Sequence, residues 1–166
     1  MNSLEYFRKS VVITGKHAAL VDEMWKQNDI EHSYFKRLVD LYTIAPVIGL
    51  RTGRKSPEDN STDNKRTVLL DQIMTRREDL QTIMKIILLT DNEDNLTVEE
   101  KINRTFRGPS SEEEFNKNVD LFESYVRGGI EVLYDKLINR ALTIDDPYTD
   151  RKIGNIMALL NDDLTE

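Results

Sequence analysis

A single long stripe of apolar residues constrains the fold of this chain more than any other feature. From position 111 onward, apolar side chains recur every three to four residues, which is the period of one face of an α-helix. The stripe comprises Phe115, Val119, Phe122, Val126, Ile130, Leu133, Leu137 and Ala141. Ser111 and Glu114 have the spacing of a capping box at its start, in which each side chain bonds the backbone amide of the other residue. A helix over about 112–142 is therefore predicted.

A second stripe predicts the other long helix, over about 67–90. It comprises Leu69, Ile73, Leu80, Ile83, Met84 and Ile87. Two shorter apolar faces, within 20–25 and 30–42, are separated by so few residues that they predict an antiparallel helical hairpin. Pro46 and Gly49 are expected to end that hairpin, because proline lacks the amide that continues a helix and glycine is a weak helix former.

Capping signals mark two further helices. Thr97 and Glu100 form a second capping box, which opens a short helix ending before Gly108-Pro109. Asp146 and Pro147 supply an N-cap and a first-position proline for a final helix. The β-branched run within residues 10–14 is consistent with one short strand or with a turn.

The longest stretch without a helical pattern is 51–66, which contains no large apolar residue. It is predicted to be a flexible, exposed loop. The predicted fold is therefore all-α, an irregular bundle of about six helices with one long polar loop, in a single domain over residues 1–166. A chain of this length can bury a core without disulfides or metal ions.

Composition and charge exclude several classes of protein. The chain has no cysteine, which excludes disulfides, zinc–thiolate sites and thiol nucleophiles and fits a reducing compartment. No apolar run reaches the roughly 20 residues of a membrane span, so a cytoplasmic protein without membrane contact is expected. The net charge of −7 argues against a general nucleic-acid coat. The charge is uneven, since 51–77 carries +3 and 91–124 carries −6.

The basic residues around the polar loop form the candidate site for nucleic acid or another anion. Lysine and arginine side chains contact phosphates, and a glycine within the loop lets the backbone approach closely. The candidate residues are Arg51, Arg54, Lys55, Lys65 and Arg66. No aromatic residue lies within the loop to stack on a base. A loop whose charges are simply solvated is therefore the alternative.

Two features of the long helices indicate a candidate partner interface. Gly128 and Gly129 lie in the middle of the long stripe, where each glycine costs about 1 kcal/mol relative to alanine. Another helix crosses closely there, the helix bends between two cores, or the backbone is open to a ligand or a partner chain. Arg76 and Arg77 interrupt the 67–90 stripe. They either cover the edge of the core with their stems or pair with carboxylates across an interface.

No catalytic, metal-binding or cofactor-binding pattern is evident. His17 and His32 are the only histidines, and neither has a second ligand at a helical metal-binding spacing. The carboxylates of residues 112–114 point around a helix rather than converging, and no serine lies in a Gly-x-Ser-x-Gly motif. We therefore expect no metal, no cofactor and no enzymatic activity.

These observations favour a non-enzymatic helical interaction subunit. Such a subunit would self-associate or bind a protein partner, as an accessory component of a larger assembly such as a bacterial nucleic-acid-handling or defence complex. Two alternatives stay open. One is direct nucleic-acid binding through the basic 51–66 loop, and the other is a metal-dependent hydrolase or nuclease with carboxylates assembled from separate helices.

Overall fold

One long helix lies at the centre of the fold, and four of the other helices pack against it. The computed structural model describes residues 4–139 and 151–162. In chain order the elements are β1 (Val11–Thr14), α1 (Gly15–Met24), α2 (Leu38–Thr52), β2 (Lys65–Val68), α3 (Leu70–Thr75), α4 (Arg77–Thr90), α5 (Val98–Phe106), α6 (Glu112–Leu137) and α7 (Arg151–Asn161). The prediction of a mostly helical fold is confirmed, with the addition of a small antiparallel sheet formed by β1 and β2.

Helix α6 begins where its cap predicts. The Ser111 hydroxyl accepts a hydrogen bond from the Glu114 amide at 3.1 Å. The return bond differs from the prediction, because the Glu114 carboxylate accepts from the amide and the hydroxyl of Ser110 instead of from Ser111. The stripe lies within α6 as far as Leu137. Its last member, Ala141, is outside the described residues.

Helices α2 and α6 cross at glycines. A Cβ atom at Gly129 would lie 1.7 Å from the backbone oxygen of Ala45 in α2, and one at Gly49 would lie 2.2 Å from the backbone oxygen of Tyr125 in α6. Such distances are far inside van der Waals contact, so the two backbones approach as closely as they do only because these positions carry no side chain. The interpretation of the double glycine as a close helix crossing is confirmed for Gly129, whereas Gly128 lies against the backbone of Arg54 beyond the end of α2.

The prediction that Pro46 and Gly49 end a helix is wrong. Helix α2 continues through both residues and ends at Thr52, and the next residue, Gly53, has the left-handed backbone conformation typical of a helix C-terminus, φ +65°. Pro46 removes one intrahelical hydrogen bond. The buried packing of α2 against α6 compensates for that loss, since Leu41, Tyr42 and Ala45 are fully buried.

The predicted 30–42 helix begins only at Leu38. The segment between α1 and α2 instead forms turns around Ser33, whose hydroxyl donates to the backbone oxygens of Asp29 and Lys26 and accepts from the amide of Lys26. Serine side chains that bond nearby backbone groups compete with helix formation in this way. The hairpin prediction is therefore wrong for this connection.

The predicted 67–90 helix is divided into three elements. Thr67 and Val68 belong to strand β2 and pair with Val12 and Val11 of β1. Helices α3 and α4 then follow, separated at Arg76, whose backbone leaves the helical region at φ −116° and ψ 11°. The described residues thus contain seven helices instead of the six predicted for the whole chain.

The boundaries of the polar loop are also narrower than predicted. Arg51 and Thr52 complete α2, and Lys65 and Arg66 belong to β2. The Thr14 hydroxyl and the amide of Lys16 both donate to Asp59, so the loop is bonded to the β1–α1 junction. The predicted N-cap of the last helix, Asp146-Pro147, lies outside the described residues.

No helix in the described part of the chain combines the length and the apolar character needed to cross a membrane.

Candidate functional site

Helix α5 turns its apolar side toward solvent. Val98, Ile102 and Phe106 are spaced four residues apart and therefore share one face of the helix. Their exposed fractions are 75%, 46% and 64%. An amphipathic helix of a globular protein normally buries this face. We call these three residues the α5 stripe.

A buried arginine holds α5 in this orientation. The Arg104 guanidinium donates to the backbone oxygen of Leu88 at 2.6 Å and to the Asp94 carboxylate at 3.0 Å. Only 8% of Arg104 is exposed, and the neighbouring Thr105 is also buried. The capping box predicted at Thr97 and Glu100 is present in both directions. The polar side of α5 thus packs on α4, which leaves the apolar side uncovered by the described residues.

The chain around the α5 stripe is acidic. Residues 91–114 carry eight acidic and three basic side chains. Glu99 and Glu100 are exposed on α5 itself, and Glu112 and Glu113 are exposed at the start of α6. One of the three bases, Arg104, is buried and paired with Asp94. The surroundings of the stripe therefore favour a partner with positive charge.

Three of the five predicted anion-binding residues are engaged with carboxylates. Arg54 forms a salt bridge with Glu131 at 2.8 and 2.9 Å, and Arg66 forms a bidentate salt bridge with Asp22 at 2.6 and 2.7 Å. Lys55, the third of these residues, forms salt bridges with Asp91 and Glu93. Such pairing lowers the positive charge that the loop presents to a phosphate.

Arg51 and Lys65 are exposed and form no ion pair within the described residues. They lie at opposite ends of the loop, one in α2 and the other in β2. Nucleic-acid binding by the five residues together stays a prediction.

The four residues of the predicted partner interface contact other parts of the same chain. Arg76 donates to Asp40 at 3.1 Å, and Arg77 donates to Glu5 at 3.0 Å. Gly129 lies against α2, and a Cβ atom on Gly128 would lie 1.9 Å from the backbone oxygen of Arg54. Both glycines are buried. A role for these four residues in binding a partner stays a prediction.

A polar cluster that the sequence analysis did not identify is centred on Glu131 of α6. The Ser56 hydroxyl donates to Glu131 Oε1 at 2.7 Å, and His17 Nε2 contacts the same oxygen at 2.9 Å. Lys16 lies 3.1 Å from it, and Arg54 bonds the other oxygen. Burial alone would raise the pKa of Glu131, but the hydrogen bonds from these four residues outweigh it and lower the pKa to about 2.

His17 is fully buried in this cluster. Burial lowers its pKa, although the Glu131 carboxylate opposes that shift. The imidazole is therefore neutral at pH 7 and donates to Glu131 through Nε2, while Nδ1 has no hydrogen-bond partner among the described residues. Ser56 and His17 share one carboxylate oxygen instead of forming the serine–histidine pair that nucleophilic catalysis uses.

A cavity of about 340 Å³ lies between the N-terminal segment 5–12 and α6. Its aromatic wall contains Tyr6 stacked on Phe115, with ring centroids 5.0 Å apart, and Phe7 edge-on to Phe122 at 5.1 Å. Phe7 has a positive φ of 60°, which is unusual for a bulky residue and is held here by the packing of its ring.

The polar end of this cavity is formed by Glu123 and Tyr42. The hydroxyl of Tyr42, which is fully buried, donates to Glu123 Oε1 at 2.5 Å. Burial raises the pKa of Glu123 to about 7, and the nearby carboxylates Asp120 and Glu58 add to that shift, whereas Tyr42 and Arg127 oppose it. Within the described residues, no cation lies within ion-pair distance of Glu123.

The sequence does contain a signal for Glu123 and Glu131. Together with Arg127 they recur every four residues and form a polar line on α6 beside the apolar stripe. Charged residues on a face flanked by buried neighbours indicate polar contacts inside the fold. The partners of these residues come from distant parts of the chain, so they could not be identified from periodicity. The described residues contain no group of three or more acidic or histidine side chains that could hold a metal ion.

Comparison with known proteins gives one family match. The model of a family described as DNA sulphur modification system-associated protein 4 matches residues 11–150, which is more than half of the chain. No curated protein and no solved structure matches.

Proposed function

The chain belongs to the family of DNA sulphur modification system-associated protein 4, and we propose that it is a non-enzymatic accessory component of a DNA sulphur modification assembly. In this proposal it binds another protein of that assembly through the α5 stripe. The family match agrees with a role as a component of a nucleic-acid-modifying assembly. The outward apolar face of α5 is the observation that supports binding of a partner protein through the α5 stripe.

The energetics of α5 support a docking role. Burying a large aliphatic or aromatic side chain contributes about 1.5–3 kcal/mol, so three such residues left in water on one helix face represent a substantial unused driving force. The fold does not turn this face inward, because the buried Arg104 anchors the opposite side to α4. A partner that covers Val98, Ile102 and Phe106 would recover that free energy.

The chemistry of the stripe also limits the kind of partner. A row of apolar residues at four-residue spacing matches the apolar face of a second amphipathic helix, which recognises such a surface with residues three to four positions apart. The acidic residues around the stripe favour lysine and arginine at the margins of that helix. We therefore propose a basic amphipathic helix of another modification-system protein as the occupant.

The contacts of the buried polar groups support a non-catalytic role. Ser56 and His17 each bond to Glu131, and these contacts hold the polar loop against α1 and α6. The metal-dependent hydrolase or nuclease stays an untested alternative, and so does direct binding of nucleic acid through the 51–66 loop.

The test measures complex formation between this protein and each of the other modification-system proteins of the same organism. Size-exclusion chromatography with light scattering would compare the mass of each mixture with that of the chain alone, 19.3 kDa for a monomer. We expect one stable complex, and we expect Phe106→Asp or Ile102→Asp to weaken it about 100-fold, because a charge would then be buried at the centre of an apolar contact.

Ile30→Asp is the matched control, since Ile30 is also 64% exposed and lies outside α5. A complex that survives Phe106→Asp, or that Ile30→Asp weakens equally, would contradict docking through α5. A dimer of the chain alone that dissociates on Phe106→Asp would replace the proposed partner with a second copy. Absence of a complex with every system protein would overturn the proposal.

A further inference from the structure

The cavity beside the N-terminal segment has the construction of a small-molecule site. Its volume of about 340 Å³ lies within the range of ligand pockets, and its walls combine aromatic rings with a few polar groups at one end. Tyr6, Phe7 and Phe115 are among the aromatic residues of its lining. These features are independent of the α5 stripe, which does not line the cavity.

The polar end of the cavity presents a carboxylate without a counter-ion. One oxygen of Glu123 accepts from the Tyr42 hydroxyl, and the described residues contribute no other hydrogen bond to the carboxylate. Arg127, one helical turn away, directs its Nε to the backbone oxygen of Ser56. A ligand nitrogen that carries N–H donors would complete the contacts of Glu123.

The charges around the inner end favour a cation. Asp120 on α6 and Glu58 of the polar loop line the same cavity and add negative potential near Glu123, which Arg127 offsets only in part. On the N-terminal segment, Arg8 is paired with Glu5 through a contact of 2.5 Å, and the exposed Lys9 also lines the cavity. The lining as a whole carries four negative and three positive side chains. An anionic ligand would therefore meet net negative charge at the point where the polar contacts are made.

We propose that this cavity binds a small aromatic cation, whose charged nitrogen pairs with the Glu123 carboxylate and whose ring lies against Tyr6, Phe7 and Phe115. The Tyr42 hydroxyl is a positioning group, because it holds one carboxylate oxygen and leaves the other for the ligand. Neutral aminoheterocycles also carry N–H donors on an aromatic ring but lack the positive charge. The experiment therefore compares an aromatic cation with a neutral aminoheterocycle.

Benzamidinium is a suitable probe because it joins a flat ring to a cation with paired N–H donors. Binding would be followed by isothermal titration calorimetry and by amide chemical-shift changes on the intact chain, with benzoate and the weakly basic, neutral 2-aminopyrimidine as comparison ligands. We expect benzamidinium to bind at least about tenfold more tightly than either comparison ligand. Tighter binding of 2-aminopyrimidine would assign the cavity to neutral heterocycles and overturn the requirement for charge.

Two substitutions test the site itself. Glu123→Gln keeps the size of the side chain and the acceptor for Tyr42 but removes the charge, and we expect it to weaken benzamidinium binding about tenfold. Val119→Trp places a large side chain at the half-buried wall and is expected to abolish binding while the helical circular dichroism is retained. Glu112→Gln removes the same charge from the exposed start of α6 and should change binding less than about twofold.

The pH dependence provides an independent check. Because the pKa of Glu123 is about 7, its ionised fraction falls about tenfold between pH 8 and pH 6. Benzamidinium should bind about tenfold more weakly at the lower pH, and the Glu123→Gln protein should lose this dependence. Binding that is unaffected by Glu123→Gln and Val119→Trp, or an absence of chemical-shift changes around the cavity, would overturn the proposal.

Discussion

Replacement of Gly129 by alanine is expected to destabilise the protein by about 3 kcal/mol. The new Cβ would lie 1.7 Å from the backbone oxygen of Ala45. Backbone atoms cannot move aside as the end of a flexible side chain can, so α2 and α6 would have to separate. That separation would loosen the packing of Tyr42 and Ile130, which are fully buried near the crossing.

The size of this effect is distinguishable from helix propensity. Alanine is favoured over glycine by about 1 kcal/mol within a helix, so propensity alone would make Gly129→Ala stabilising. Asn116→Ala, at an exposed position of the same helix, is the control for propensity and should change stability by less than about 0.5 kcal/mol. Urea denaturation followed by circular dichroism would give both values. A Gly129→Ala protein as stable as the wild type would mean that the two helices do not cross as closely as described.

Loss of the Glu131 charge is expected to destabilise the protein by about 3 kcal/mol at neutral pH. The folded state lowers the pKa of Glu131 from 4.5 to about 2, and each unit of such a shift corresponds to about 1.4 kcal/mol. Glu131→Gln retains the size of the side chain but places an amide group opposite the donors of Ser56, His17 and Arg54. At least one of these groups would then lose its acceptor inside the fold.

The sign of the pH dependence follows from the direction of the shift. Because the folded-state pKa is depressed, the stabilising contribution of Glu131 is complete above pH 4.5 and is lost as the pH falls toward 2. Wild-type stability should therefore decline more steeply than that of Glu131→Gln over this interval. Urea denaturation at a series of pH values would measure both curves.

Asp135→Asn is the matched control for Glu131→Gln. Asp135 lies one turn further along α6 and contacts the same Arg54 at 3.6 Å, but half of its side chain is exposed. An exposed ion pair contributes little, so this variant should lose less than about 1 kcal/mol. Parallel pH profiles for wild type and Glu131→Gln would argue against a strongly depressed pKa.

The local elements of the fold could be predicted from the sequence because their signals are local. The stripe and Ser111 identified α6, and Thr97 with Glu100 identified the start of α5, since periodicity and caps involve residues only three or four positions apart. The short β-branched run at 10–14 likewise allowed for strand β1. The close crossing at Gly129 was one of three interpretations of the same local signal.

Strand β2 and the course of α2 were not predictable in the same way. Lys65 and Thr67 have no alternating apolar pattern, and they become extended because they pair with a strand more than 50 residues earlier. Pro46 reads as a helix terminator, yet the helix continues because its buried face is packed on α6. In both cases a long-range contact outweighs the local preference.

The orientation of α5 and the polar contacts of α6 depended on tertiary structure alone. The sequence specifies that α5 is amphipathic, but only the burial of Arg104 against Leu88 determines that the apolar face points outward. The sequence likewise places Glu123 and Glu131 on one line of α6. Their hydrogen-bond partners, Tyr42 for Glu123 and Ser56 and His17 for Glu131, come from separate parts of the chain. Helix periodicity is encoded within a few residues, but the side of a helix that is buried is decided by the free energy of all its contacts with the rest of the chain.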